Sequence, residues 1–142
     1  MRLLLFSTLI VCSSLGVKAQ QKPDGNQKGE ASFYHDKFEG RQTATGEIFD
    51  NDKFTAASNT LKLGAYVKVT NLSNGEVVYV RINDRMNKSN TRVIDLASVA
   101  AKKLEFHKKG VAKVKVEVVP AEEGRLGILA QNETGRTERT EL

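Results

Sequence analysis

Tryptophan is absent from this chain of 142 residues, and aromatic residues make up only 6% of it. Cysteine occurs once and proline twice. One cysteine excludes an internal disulfide framework and the usual cysteine-based zinc sites. Two prolines and eleven glycines exclude a collagen-like or proline-rich chain. The two histidines, His35 and His107, sit in different blocks with no cysteine or paired acid at ligand spacing, so neither a metal nor a cofactor is expected. No Cys/His or Ser/His/Asp arrangement points to a protease. The charge balance is modest, 22 Lys and Arg against 17 Asp and Glu for a net +5, with no basic stripe interleaved with aromatics. Nucleic acid is therefore not the expected partner.

The one long apolar run is N-terminal. Met1 and Arg2 precede an apolar stretch over residues 3–10, extended by Val11, Cys12 and Leu15. Val17 and Ala19 then place small residues at the −3 and −1 positions of a cut before Gln20. This is the pattern of a secretory signal peptide over residues 1–19, and it predicts export to the periplasm or cell envelope. The stretch is too short for a membrane span, and the mature chain is expected to have none. Val11 is a poor residue to precede an acylated cysteine, so lipid anchoring at Cys12 is not expected. Cleavage removes Arg2 and Lys18 and leaves a net +3.

Residues 20–28 are polar, carry Pro and Gly, and read as a flexible leader. Residues 120–142 are rich in Glu, Gly, Thr and Arg, with only Leu126, Ile128 and Leu129 as an apolar knot. This tail is expected to be disordered. The folding unit is then residues 29–119, one domain and a monomer.

That unit reads as strands. Ala65, Val67 and Val69 alternate with Tyr66, Lys68 and Thr70; Val78, Val80 and Ile82 alternate with Tyr79 and Arg81. Between them Ser73-Asn74-Gly75 is a turn signal, which makes a hairpin. Val114, Val116 and Val118 alternate with Lys115 and Glu117 in a terminal strand; shorter strands are expected at 31–34 and 93–94. Ala97, Ala100, Ala101 and Leu104 fall at helical spacing, with Asp95 or Ser98 as the cap. Residues 41–60 show no period and read as a long structured loop. Short strands with one helix in a unit of this size predict a small β-barrel.

Four blocks follow in order: GEASFY at 29–34 with FEGRQTATGE at 38–47; FTAASNTL at 54–61; VKVTNLSNG at 67–75 with VRINDR at 80–85; and IDLA at 94–97 with Ala100, Ala101 and Leu104. Together they resemble the rare lipoprotein A-like family over essentially the whole folding unit. The resemblance implies a mainly β fold, a six-stranded double-psi β-barrel with one short helix. It also implies a septal-type lytic transglycosylase that cleaves peptidoglycan glycan strands, with a preference for strands stripped of stem peptides. The family's acids fall on Glu47 and Asp84 as catalytic candidates, with Asp95 a further acid. Ser58 stands where the family usually has histidine, and Met86-Asn87 where it usually has Gly-Pro. Tyr34, Arg41, Thr43, Asn83 and Arg85, in or beside these blocks, are the substrate-binding candidates. The alternative is a barrel that grips cell-wall glycan or a partner protein without cutting, as expansins do.

Glycoside cleavage needs an acid to protonate the leaving oxygen as positive charge grows at the sugar carbon. Asp84 is the first choice, because strand alternation puts it on the face of Val80 and Ile82, away from Arg81 and Arg85. The competing reading is a surface turn in which Arg85 pairs with Asp84. Glu47 competes with a solvated loop acid, and Asp95 with a helix N-cap.

Overall fold

The computed structural model describes residues 25–142. The expected signal peptide, its cleavage point, Cys12 and most of the leader lie outside them. Six strands, β1 (Gln27–Phe33), β2 (Thr55–Ala57), β3 (Tyr66–Asn71), β4 (Val77–Asp84), β5 (Ile94–Leu96) and β6 (Ala112–Val119), close into a barrel in the order β1-β5-β2-β4-β3-β6. β1/β5 and β2/β4 are parallel; the other neighbours are antiparallel. The expected hairpin is β3–β4, with Gly75 at φ 77° in its turn, a conformation open to glycine at little cost.

The alternating valines and isoleucines fill the barrel. Val67, Val69, Val78, Val80, Ile82, Val114 and Val116 are fully buried, and the short helix α1 (Ser98–Lys103) adds Ala100 and Ala101 beside Leu104. Neither Asp95 nor Ser98 caps α1 with its side chain. Its N-cap is Ala97, and the Ser98 N–H instead donates to Asn51 Oδ1 at 2.7 Å, from a residue far off in sequence.

Three expectations change. The folding unit begins at Gln27 rather than Gly29, because β1 pairs with β6 from that residue. Residues 55–57, expected within a loop, form β2; all three are buried, so no two-residue alternation could mark them. The tail is not disordered: α2 (Ala121–Thr140) packs on β3 and β4. Its contact uses few apolar side chains, which is why composition suggested otherwise. The backbone at Gly124 and Gly127 lies so close to Tyr66 and Tyr79 that an added Cβ would meet ring atoms at about 2.5 Å. Gln131 is buried, accepts from Tyr79 N at 2.7 Å and donates to Tyr79 O at 2.9 Å. The odd residues of β4 aim their backbone towards β2, as the bond from Arg81 N to Phe54 O shows. β2 ends before it reaches Tyr79, so the Gln131 amide continues the ladder there. Among the described residues no helix is long and apolar enough to cross a membrane.

Candidate active site

The site forms where β1, β4 and the loop after β1 converge. Strand alternation carries Val78, Val80 and Ile82 inward, then breaks: Ile82 and Asn83 are both buried. The register of β4 on β2 shifts there, Ala56 opposite Ile82 and Ala57 opposite Asp84. An extra residue of this kind re-aims the next side chain. Asp84 is therefore not a simple continuation of the Val80 and Ile82 face; it is half-buried and faces a groove of about 670 Å³.

Three donors fix the Asp84 carboxyl. Tyr34, following β1, donates its hydroxyl to Oδ2 at 2.6 Å; the N–H groups of Ala44 and Arg85 each donate to Oδ1 at 2.9 Å. Burial first, and then the bond to Asp84, push the Tyr34 hydroxyl well above the usual phenol range, so it stays protonated. Arg85 does not form the side-chain ion pair with Asp84 that a surface turn would have. Its Nη1 donates to the carbonyls of Ser58 and Leu61, the latter at 2.6 Å.

Glu47 lies outside the groove. It makes a two-pronged pair with Arg81, Nη1 to Oε1 at 2.8 Å and Nη2 to Oε2 at 2.5 Å, and Thr45 Oγ1 donates to it at 2.9 Å. The Arg81 guanidinium holds the Glu47 carboxyl down at about 2. The Glu47 carbonyl accepts from Thr43 N, Gly46 N donates to Thr43 O with Gly46 at φ 88°, and Thr45 N donates to Asn83 O. This tight turn presents the Ala44 N–H to Asp84. Glu47 thus anchors a turn that holds Asp84. Asn83 is buried beneath the same turn.

Asp95 does line the groove, in β5, but it is engaged. Arg92 Nε and Nη2 donate to its two oxygens at 2.8 and 3.0 Å, and Ser32 Oγ donates to Oδ1 at 2.8 Å. Ser58 is fully buried and outside the groove lining; its Oγ accepts from Thr60 N and Leu61 N at 3.2 and 3.1 Å. It shapes the chain that receives Arg85.

Of the expected residues, the groove gathers Tyr34, Arg41, Thr43, Asp84, Arg85 and Asp95, and leaves out Glu47, Ser58 and Asn83. It also recruits residues that sequence reasoning missed. Phe38 and Phe49 pack about Tyr34, with ring centroids at 5.7 and 4.4 Å, and build an aromatic wall. The spaced aromatics beside the Gly40 turn were the signal available in the sequence. Tyr66 packs under α2. Phe33 stacks on His107 with centroids 4.4 Å apart.

A family model described as lytic transglycolase matches residues 26–116. The chain is 40% identical over 116 residues to an endolytic peptidoglycan transglycosylase RlpA of Haemophilus influenzae, covering 81% of this chain and 40% of that protein. It is 46% identical over 103 residues to the protein of the same name from Neisseria meningitidis serogroup A, covering 72% and 43%. The chain thus spans less than half the length of these relatives. Among solved structures, a Streptomyces papain inhibitor aligns with TM-score 0.56 at 23% identity, over 68% of this chain and 96% of the inhibitor. An expansin from Clavibacter michiganensis aligns with TM-score 0.54 at 17% identity, over 68% and 51%. These two likenesses concern the fold, which both share with the six-stranded barrel described above. The matched family model, the RlpA relatives and the barrel agree, and the chain belongs to the rare lipoprotein A-like family of double-psi β-barrels.

Proposed function

We propose that this barrel is an exported, cell-envelope endolytic transglycosylase that cuts peptidoglycan glycan strands, with Asp84 as its proton-transferring group. The observation that carries this reading is the Asp84 carboxyl at an aromatic-walled groove, fixed by Tyr34, Ala44 and Arg85. The names of the RlpA relatives support the reaction class.

The chemistry follows from the two carboxyl oxygens. Oδ1 takes two backbone N–H groups, which cannot turn away. Oδ2 takes a hydroxyl, which can donate to a carboxylate or rotate and accept from a carboxylic acid. Oδ2 is thus the oxygen suited to carry the moving proton. Protonated Asp84 gives it to the glycosidic oxygen as the bond to the sugar C1 breaks. The ionised group then removes the proton from the C6 hydroxyl of the same sugar as that oxygen bonds to C1. The product is a 1,6-anhydro end, no water is consumed, and Asp84 ends protonated again. Tyr34 and Phe38 offer the apolar faces that sugar rings stack on.

The experiment is mass spectrometry of purified sacculi after incubation with the mature protein. New 1,6-anhydro ends are expected, and Asp84→Asn should lower their rate about 10²- to 10⁴-fold while the melting curve stays in place. Robust cleavage by Asp84→Asn would remove the assignment. The non-cutting alternative draws on one observation, buried Ser58 in place of the family histidine. It requires that the wild-type protein bind sacculi and release no anhydro product.

A further inference from the structure

The groove is lined by four Lys and Arg side chains, and they divide into two kinds. Arg85 is spent on the carbonyls of Ser58 and Leu61, and Arg92 on Asp95. Lys37 and Arg41 have no acidic partner among the described residues, although Asp36 adjoins Lys37 and Glu39 lies two residues before Arg41. Asn51 accounts for this. Its Nδ2 donates to Asp36 Oδ1 at 2.8 Å and its backbone N–H to Glu39 Oε1 at 2.5 Å, so both neighbouring acids are drawn to Asn51. The two cations remain on the groove side over one ring: Lys37 Nζ lies 5.2 Å and Arg41 Cζ 5.6 Å from the Phe38 centroid. An aromatic face holds a cation in place without neutralising it or using its N–H donors.

We infer that Lys37 and Arg41 are specificity-determining residues that read a free carboxylate on the sugar chain itself. The inference rests on the glycan-cleaving reading of the groove. Neutral hydroxyls and acetamido groups do not call for two unpaired cations, whereas a carboxylate does. In a peptidoglycan strand the carboxylate attached directly to the sugar is the one on its ether-linked acid side chain. A peptide joined there consumes that charge as an amide. The cation pair therefore distinguishes a bare sugar from a substituted one by charge, in addition to any steric exclusion.

The test uses three glycans of equal length: bare strands, the same strands with their carboxylates converted to neutral methylamides, and peptide-bearing strands. Wild-type kcat/KM should favour bare over methylamidated strands by about tenfold, carried mainly in KM, and the ratio should shrink as salt rises. In Lys37→Gln/Arg41→Gln the ratio should fall towards one. The charge-keeping exchange Lys37→Arg/Arg41→Lys should retain it, which a loss of folding or of general packing would not. Equal cleavage of bare and methylamidated strands by the wild type overturns the inference, as does a preference that survives in the double Gln variant. Peptide-bearing strands cleaved as well as bare ones would assign the recognised carboxylate to the peptide, and also overturn it. Binding of the same glycans to Asp84→Asn separates the two readings. If the wild type cuts no strand but bare strands still bind Asp84→Asn about tenfold tighter, the transglycosylase reading fails and the cation pair stands. Equal binding of all three removes the pair.

Discussion

Tyr34 and Asp84, fifty residues apart, meet through a 2.6 Å hydrogen bond that joins the end of β1 to the end of β4. The pairing depends on the β-bulge at Asn83, which turns Asp84 out of the barrel, and on β1 running parallel to β5, which brings Tyr34 to the same rim. Tyr34→Phe keeps the ring among Phe38 and Phe49 but removes the hydroxyl. Turnover should fall about tenfold or more with little change in melting temperature, because only the group that orients Oδ2 is lost. Steady-state release of anhydro ends beside a thermal melt checks this.

The Glu47–Arg81 pair should show in the pH dependence of stability. Folding depresses the Glu47 carboxyl to about 2 from its ordinary 4.5. Its contribution is therefore complete above the unfolded value and is lost as pH falls from about 4.5 to about 2. The Glu47 side chain is 42% exposed, so the contribution is about 0.5–1 kcal/mol rather than the full value of the shift. Melts of wild type and Glu47→Gln should differ by a few degrees at pH 7 and converge near pH 2. Turnover should fall less than in Asp84→Asn, since Glu47 acts through the turn that holds Ala44.

Ser58 is a structural residue in this geometry. Ser58→Ala leaves the Thr60 and Leu61 N–H groups without their acceptor and should cost about 1–2 kcal/mol. The rate of anhydro-end release per folded molecule should stay near that of the wild type. Urea unfolding and the sacculus assay together check it.

α2 should prove part of the folding unit. Ending the chain after Val119 exposes Tyr66 and Tyr79 and leaves the Tyr79 N–H and C=O at an open strand edge. The truncated barrel should melt lower and self-associate, as unprotected edges do. Gln131→Ala should reproduce part of the loss, about 1–3 kcal/mol. Gly124→Leu should undock the helix, because a side chain there collides with Tyr66. Melting curves and light scattering read both effects.

The barrel's walls are legible along the chain. Alternation at 65–70, 78–82 and 112–118 is a local property of the chain, and it marked the β3–β4 hairpin and the terminal strand. The ordered blocks pointed to the family, and the family pattern to Asp84. β2 was not legible because all three of its residues are buried, and α2 because it docks mainly through glycine backbone and Gln131, with Ile128 as its one apolar side chain packed on the core. Tertiary structure alone decided how the charges pair. Arg85, adjacent to Asp84 in sequence, turns to the Ser58 and Leu61 carbonyls; Glu47 goes to Arg81; Asp36 and Glu39 go to Asn51. An ion pair or hydrogen bond depends on a few ångströms of three-dimensional separation, whereas alternation depends only on the two-residue repeat of a strand. For that reason the core could be read along the chain, and the site only once the barrel had closed.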